Sequence, residues 1–266
     1  GEYLEQVEVW ESMLQRLPEY EVNSDGALRE WLTSGLEDNY HHRHQSHIYP
    51  LFPGFSITKE DEPALFEACR IAIEKRLVIG LSSQTGWSFA HMANVWARLG
   101  EGDKALEVLE LLTRSCTGPN LFTYHNDYRG MGLTLGGLRS NPLFQIDANF
   151  GITAAILELL VFSRPGLIKL LPAVPSTWTQ GRAGKILCRG GVTVDLEWDL
   201  DTGLLTADCE SIVEQQVVVK LPGSPVSVSI RTKTTLQAVH ADSHEFGPEY
   251  VTLDIPANSP IVLEAK

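Results

Sequence analysis

Four of the chain's eight histidines fall within seven positions, in His41-His42-Arg43-His44-Gln45-Ser46-His47. Imidazoles beside a guanidinium concentrate directional donors and acceptors in one place. Three chemistries fit that pattern. A metal site would use His44 and His47, three apart and so neighbours on a helix, but zinc takes a third protein ligand and nothing nearby fixes one. No metal or other cofactor is therefore expected. The histidines could instead bond only to loop backbone, or they and Arg43 could present donors to a substrate rich in hydroxyls.

A second segment, Asn141-Pro142-Leu143-Phe144-Gln145-Ile146-Asp147-Ala148-Asn149-Phe150-Gly151, leads into an apolar run of helical period. Asp147 or Asn149 could cap that helix. Equally, Asp147 is a candidate general base if a second carboxyl faces it across a cleft. A third segment, Thr85-Gly86-Trp87-Ser88, opens another helix, with Ser88 a capping group and Trp87 either core or a flat surface for a sugar ring. The stretch from Phe122 to Gly130, with Tyr124, His125 and Tyr128, lies in a connection running from Cys116 to Phe144. Its length marks it as functional or disordered, and it could cover a cleft. No G-x-G-x-x-G, G-x-x-x-x-G-K-[ST] or G-x-S-x-G string occurs, which lowers nucleotide and serine-hydrolase readings.

The elements that must position these groups divide into two halves. Up to about residue 164 the apolar residues recur at helical spacing, predicting helices over 2–17, 62–76, 88–99, 104–114 and 152–163. Gly100 and Gly102 end one helix and Asp103 caps the next, giving a hairpin of the kind that repeats around all-helical barrels. Beyond Pro165 the period becomes two, with Val192, Val194, Leu196 and Trp198 on one face. Further runs at 217–221, 226–230, 251–255 and 261–263 predict an antiparallel sandwich of six or seven strands. The boundary is placed near residues 164–172, which gives a helical part at 1–166 and a β part at 167–266.

The 266 residues carry 21 Lys+Arg against 34 Asp+Glu, a formal charge of −13, with 43% hydrophobic residues. Such a chain buries a core, and its surface repels phosphate backbones and anionic membranes. Its apolar stretches fall far short of the roughly 20 residues that span a bilayer. Nucleic-acid and membrane partners are thus not expected. Cys69, Cys116, Cys188 and Cys209 show no C-x-x-C pairing and read as buried thiols, with a Cys188–Cys209 disulfide the oxidised alternative. No signal-peptide pattern opens the chain, so localisation stays open.

Taken in order, HRHQSHIYPLFPG, TGWSFAHMANVWARLGEGDKALEVL, PNLF, FQIDANFGITAAILELL and LIKLLPAVPSTWTQGRAGKILCRGGVTVDLEW resemble glycoside hydrolase family 95, which contains the α-1,2-L-fucosidases. The resemblance implies an inverting α-L-fucosidase with an (α/α)6 barrel followed by a β domain, of which this chain is the rear portion. Asp147 then matches the family's base, and Arg43 and His44 its fucose-binding Arg-His pair. The general acid and two water-activating Asn belong to upstream segments, so neither Glu30 nor Asn149 is promoted to those roles. Where the family often has a substrate-contacting His in His-Pro-Pro, this chain has Asn141, so either Asn141 or His125 makes that contact. Relatives that prefer α-L-galactosides keep the sugar open.

The expected partner is a fucosylated glycan, and the chain alone is expected to turn over little or none of it. Competing readings are a non-catalytic carbohydrate-binding or assembly fragment that pairs with a missing N-terminal part or a second copy, and a different barrel enzyme such as a lyase or sugar phosphorylase. The acidic charge argues against the anionic sugars that lyases take.

Overall fold

The computed structural model describes residues 3–134, 142–223, 225, 227–232, 235–239 and 245–266. Five helices come first: α1 (Leu4–Leu14), α2 (Pro63–Arg76), α3 (Gly86–Arg98), α4 (Gly102–Cys116) and α5 (Ile146–Leu160). Pro63 starts α2 at its first turn, where no amide donor is needed, and Lys75 and Arg76 complement its last. In α3 the Thr85 and Ser88 side chains form a reciprocal capping box. Ala105, Val108, Leu109, Leu112 and Cys116 line the buried stripe of α4. The α3–α4 hairpin is present, but Asp103 does not cap α4. Its carboxylate accepts from Ser176 N at 2.8 Å and Ser176 Oγ at 2.9 Å instead, tying the helix to the chain that enters the sheets.

Helix α5 lies against α3 because both backbones come close. A Cβ on Gly151 would sit 2.7 Å from that of Ala90, and Asn94 donates to the carbonyls of Ala90 and Gly151 at 2.8 and 2.9 Å. One apolar cluster joins residues of α2, α3, α4 and α5 with Ile48, Leu51, Phe52 and Ile57 from the intervening irregular chain.

The chain then runs straight into β1 (Val161–Arg164) and β2 (Leu167–Leu170). These are followed by β3 (Gln180–Leu187), β4 (Val192–Asp199), β5 (Leu204–Ser211), β6 (Gln215–Lys220), β7 (Val228–Arg231), β8 (Leu236–Val239), β9 (Tyr250–Ile255) and β10 (Ile261–Ala265). One sheet has the order β1-β2-β6-β9, with β2 and β6 parallel, and the other β3-β4-β5-β10-β7-β8, antiparallel throughout. Buried residues of both sheets share one apolar cluster. In it Val192, Val194, Leu196 and Trp198 face inward, as their period of two requires.

Among the described residues, ten strands replace the expected six or seven. Strand β3 escapes a pattern search because its register shifts between Ala183 and Ile186, which breaks the alternation. The first strand also starts at Val161, ahead of the boundary expected at residues 164–172, since no Gly or Pro separates it from α5. Helix α5 itself ends at Leu160 rather than at 163. All four cysteines are buried free thiols, so the Cys188–Cys209 disulfide alternative is not formed, and burial raises the Cys188 thiol to about 11 and the Cys209 thiol to about 12. Among the described residues no helix is long and apolar enough to cross a membrane.

Glu60 fastens the helical part to the first sheet. Its carboxylate takes Lys169 Nζ and Tyr250 Oη, each at 2.6 Å. The first turn of α4 also abuts that junction, where a Cβ on Gly102 would fall 2.1 Å from the Ala173 carbonyl oxygen. Backbone cannot yield as a flexible side-chain end does, so Gly102→Ala is expected to cost about 1–3 kcal/mol in urea unfolding.

Candidate active site

The histidine-rich segment has almost no regular structure beyond a 3-10 turn at Ser46–Ile48, so something else must hold it. Two buried arginines do. Arg76, at the end of α2, donates through Nη1 to the carbonyls of Asn39, His42 and His44 at 2.8, 3.1 and 3.3 Å, while Nη2 pairs with Glu30 Oε2 at 2.8 Å. Arg98, at the end of α3, donates to the carbonyls of Leu51 and Gly54, both at 2.9 Å, and makes a two-pronged pair with Glu158 of α5. Burial raises the Glu30 pKa, but the Arg76 hydrogen bond and charge and the Asn39 amide outweigh it, and the net direction is down. Glu30 is therefore a fixed anion in an ion pair.

Held this way, Arg43, His44 and Gln45 line a cavity of about 330 Å³ with Phe52, Trp87 and His91. Trp87 is half-buried, packing against the helical core and also walling the cavity, so both readings of it hold in part. Its ring lies 5.6 Å from that of His91, and Phe52 lies 5.9 Å from the same imidazole. Burial, followed by the nearby His44 charge, lowers His91 to about 4. Burial and the Arg76 charge do the same to His47. His44, the more exposed, is also lowered, first by desolvation and then by Arg43, His42 and His125.

His125 therefore stands within electrostatic reach of His44 without lining the cavity. Its Nδ1 meets Asn126 Oδ1 at 2.5 Å, and its carbonyl accepts from Gly86 N at 3.1 Å. Gly86 is needed at that crossing because a Cβ would come 2.4 Å from the Tyr124 carbonyl oxygen and 2.8 Å from Gln145 Oε1. Gln145 Oε1 in turn accepts from Trp87 N at 2.7 Å, which joins the starts of α3 and α5.

Asp147 sits in the first turn of α5, exposed, and is not among the residues lining the cavity. It is not the N-cap, which is Gln145. Its Oδ1 accepts only the adjacent Ala148 N–H, at 3.0 Å, and no cation pairs with it among the described residues. Asn149 is committed elsewhere, since its side chain takes Thr123 N and Oγ1 at 2.9 and 2.8 Å and donates to the Leu121 carbonyl at 2.8 Å. Asn141 lies outside the described residues. No group of three potential metal ligands occurs among the described residues.

The glycosyl hydrolase family 95 catalytic domain matches residues 1–160, and the glycoside hydrolase family 95 C-terminal domain matches residues 162–251. The chain belongs to glycoside hydrolase family 95. Alpha-L-fucosidase 2 of Arabidopsis thaliana is 38% identical over 184 residues, which cover 69% of this chain and 21% of that protein. A probable alpha-fucosidase A of Aspergillus oryzae is 28% identical over 223 residues, covering 76% and 29%, and one of Aspergillus niger 27% identical over 201, covering 71% and 24%. The chain thus spans between a fifth and a third of the length of these curated relatives.

Within this family 95 chain, sequence reasoning missed Arg76 and Arg98, whose roles depend on contacts 32 to 60 residues away. It also missed His91, although its spacing of four from Trp87 on α3 places both on one face.

Removing the Arg76 charge strands Glu30 in a buried place, so Arg76→Met is expected to lose about 3–5 kcal/mol in denaturant unfolding, with partial recovery when Glu30→Gln is added. His47 and His91 bind protons near pH 4 when folded but near 6.5 when unfolded. Their contribution is intact above pH 6.5 and is lost as pH falls toward 4. Unfolding at pH 7 and pH 5 should differ by about 2 kcal/mol per imidazole, and His91→Phe should remove its share.

Proposed function

We propose that this chain forms part of an inverting glycosidase that releases terminal α-L-fucose, with α-1,2-linked fucosides as substrate and α-L-galactosides as the related alternative. The observation that carries the reading is the cavity in which Arg43 and His44 stand beside the Trp87 ring. A sugar ring offers an apolar face to an aromatic wall and hydroxyls to charged or imidazole donors. Membership of family 95 and its fucosidase relatives support the same reading.

In the proposed mechanism Asp147 is the base. It takes a proton from water, and that water attacks the anomeric carbon on the face opposite the leaving oxygen. A second carboxyl protonates that oxygen, and inversion requires the two carboxyls to stand about 6.5–9.5 Å apart. Glu30 is unsuited to be that acid, because Arg76 holds it as an anion. The acid is assigned to a segment outside these residues. His125, within electrostatic reach of His44, takes the substrate contact that the family gives to a histidine, with Asn141 as its alternative.

The helices are proposed to belong to an (α/α)6 barrel, of which the α3–α4 hairpin would be one repeating unit. The residues up to the end of α5 form the barrel portion, and the strands from β1 onward form a β-sandwich domain that is antiparallel except for the β2–β6 pair. The partner is a fucosylated oligosaccharide, with neither nucleic acid nor membrane involved. A second reading, an assembly fragment that docks on further chain or on another copy, is favoured by the exposed Val9, Trp10, Met13 and Leu14 of α1.

In a longer protein containing these residues, Asp147→Asn is expected to lower hydrolysis of a 2′-fucosyl oligosaccharide by about 10²–10⁴-fold without changing its unfolding temperature. The 266-residue chain alone is expected to release no fucose. Fucose release by the short chain that disappears in Asp147→Asn would place both carboxyls within these residues and overturn the assignment of the acid.

A further inference from the structure

We propose that Gln45 and His91 are sugar-contacting residues, reading ring hydroxyls in the cavity lined by Arg43 and His44. The inference rests on the reading of that cavity as the sugar site and names two contacts that the family resemblance does not supply.

Gln45 is 3% exposed, lines the cavity, and keeps its Oε1 buried with no hydrogen-bond donor among the described residues. Burying an amide carbonyl without a partner is costly, and a hydroxyl donor delivered to that place would offset the cost. Arg43, which lines the same cavity, likewise keeps its Nε buried with no acceptor among the described residues. An unmet acceptor and an unmet donor on two residues that line one cavity match the two roles a hydroxyl plays.

His91 faces them from α3. No hydrogen bond to its ring occurs among the described residues, and Phe52 and Trp87 fix its orientation by ring contact rather than by polar bonds. Its neutral imidazole carries one donor and one acceptor. Ser88, which also lines the cavity, is not available in the same way, because its hydroxyl is spent on the capping box with Thr85. The apolar Trp87 and Phe52 rings with the polar Arg43, Gln45 and His91 fit a neutral sugar that shows one apolar face and adjacent hydroxyls on its rim.

The test is binding of L-fucose, and of its monodeoxy analogues, to the 266-residue chain by titration calorimetry or ligand-observed NMR. Gln45→Met keeps the side-chain shape, and His91→Phe keeps the ring contacts. Each is expected to weaken L-fucose binding about 5- to 30-fold, as loss of one hydrogen bond to a buried group does, while the melting temperature holds at neutral pH. For one monodeoxy analogue the affinity deficit seen with the unsubstituted chain should vanish in Gln45→Met, a coupling that a merely structural change would not produce. Unchanged affinity in both variants, with Arg43→Ala abolishing binding, overturns this inference and leaves the sugar site standing. Indifference to Arg43→Ala, or no L-fucose binding by any form of the chain, overturns the sugar site and this inference with it.

Discussion

Everything proposed for this protein depends on two buried arginines holding up a segment that could not hold itself. Residues 39–54 carry Arg43, His44 and Gln45 but little helix and no strand. Without helix or strand their carbonyls lack ladder partners, and a carbonyl left unpaired where water is excluded is costly. Arg76 takes three of them near the beginning and Arg98 two near the end. Each guanidinium is neutralised by one glutamate, Glu30 or Glu158. A planar group with five donors in a fixed fork suits this work, and a lysine would not replace it. The cost of burying two ion pairs is offset by a binding loop set against α2 and α3 as firmly as if it were an element of secondary structure.

The same economy governs the other half of the site. The starts of α3 and α5 meet where Gln145 accepts the Trp87 amide, and Thr123 and Asn149 lock the neighbouring chain onto α5. Gly86 makes the crossing possible by having no side chain. A shift at any of these contacts would move Trp87 and the His125 backbone together, because both are bonded to that crossing. Asp147 stands apart from this bonding with its carboxylate exposed, the arrangement a base needs if it is to meet water and substrate.

Much of this was legible in the residues. The α3–α4 hairpin and the inward face of β4 follow from spacing, and Ser88 does take part in capping, but α3 starts at Gly86 rather than Ser88 because Thr85 is the N-cap. The start of α5 was not legible, since the Asp147 and Asn149 expected to cap it lie inside it. Asn149 spends its side chain on residues more than twenty positions earlier. The end of α5 was hidden because its apolar run passes into β1 with no breaker, and an uninterrupted apolar run suits either period. Arg76 and Arg98 look in the sequence like ordinary basic residues closing a helix. Only the tertiary structure turns them inward. Of the site residues, Arg43, His44 and Trp87 line one cavity, His125 stands within electrostatic reach of His44 outside it, and Asp147 lies in the first turn of α5.

The central claim is that the cavity beside Arg43 and His44 is where sugar binds. Its most direct test is a backbone-amide NMR titration of the 266-residue chain with L-fucose. The account predicts shifts concentrated at residues 43–53 and 87–91, with His125 moving beside them. Shifts gathered instead at the junction cavity around Glu60, Lys169 and Lys220, or scattered without a focus, would contradict it.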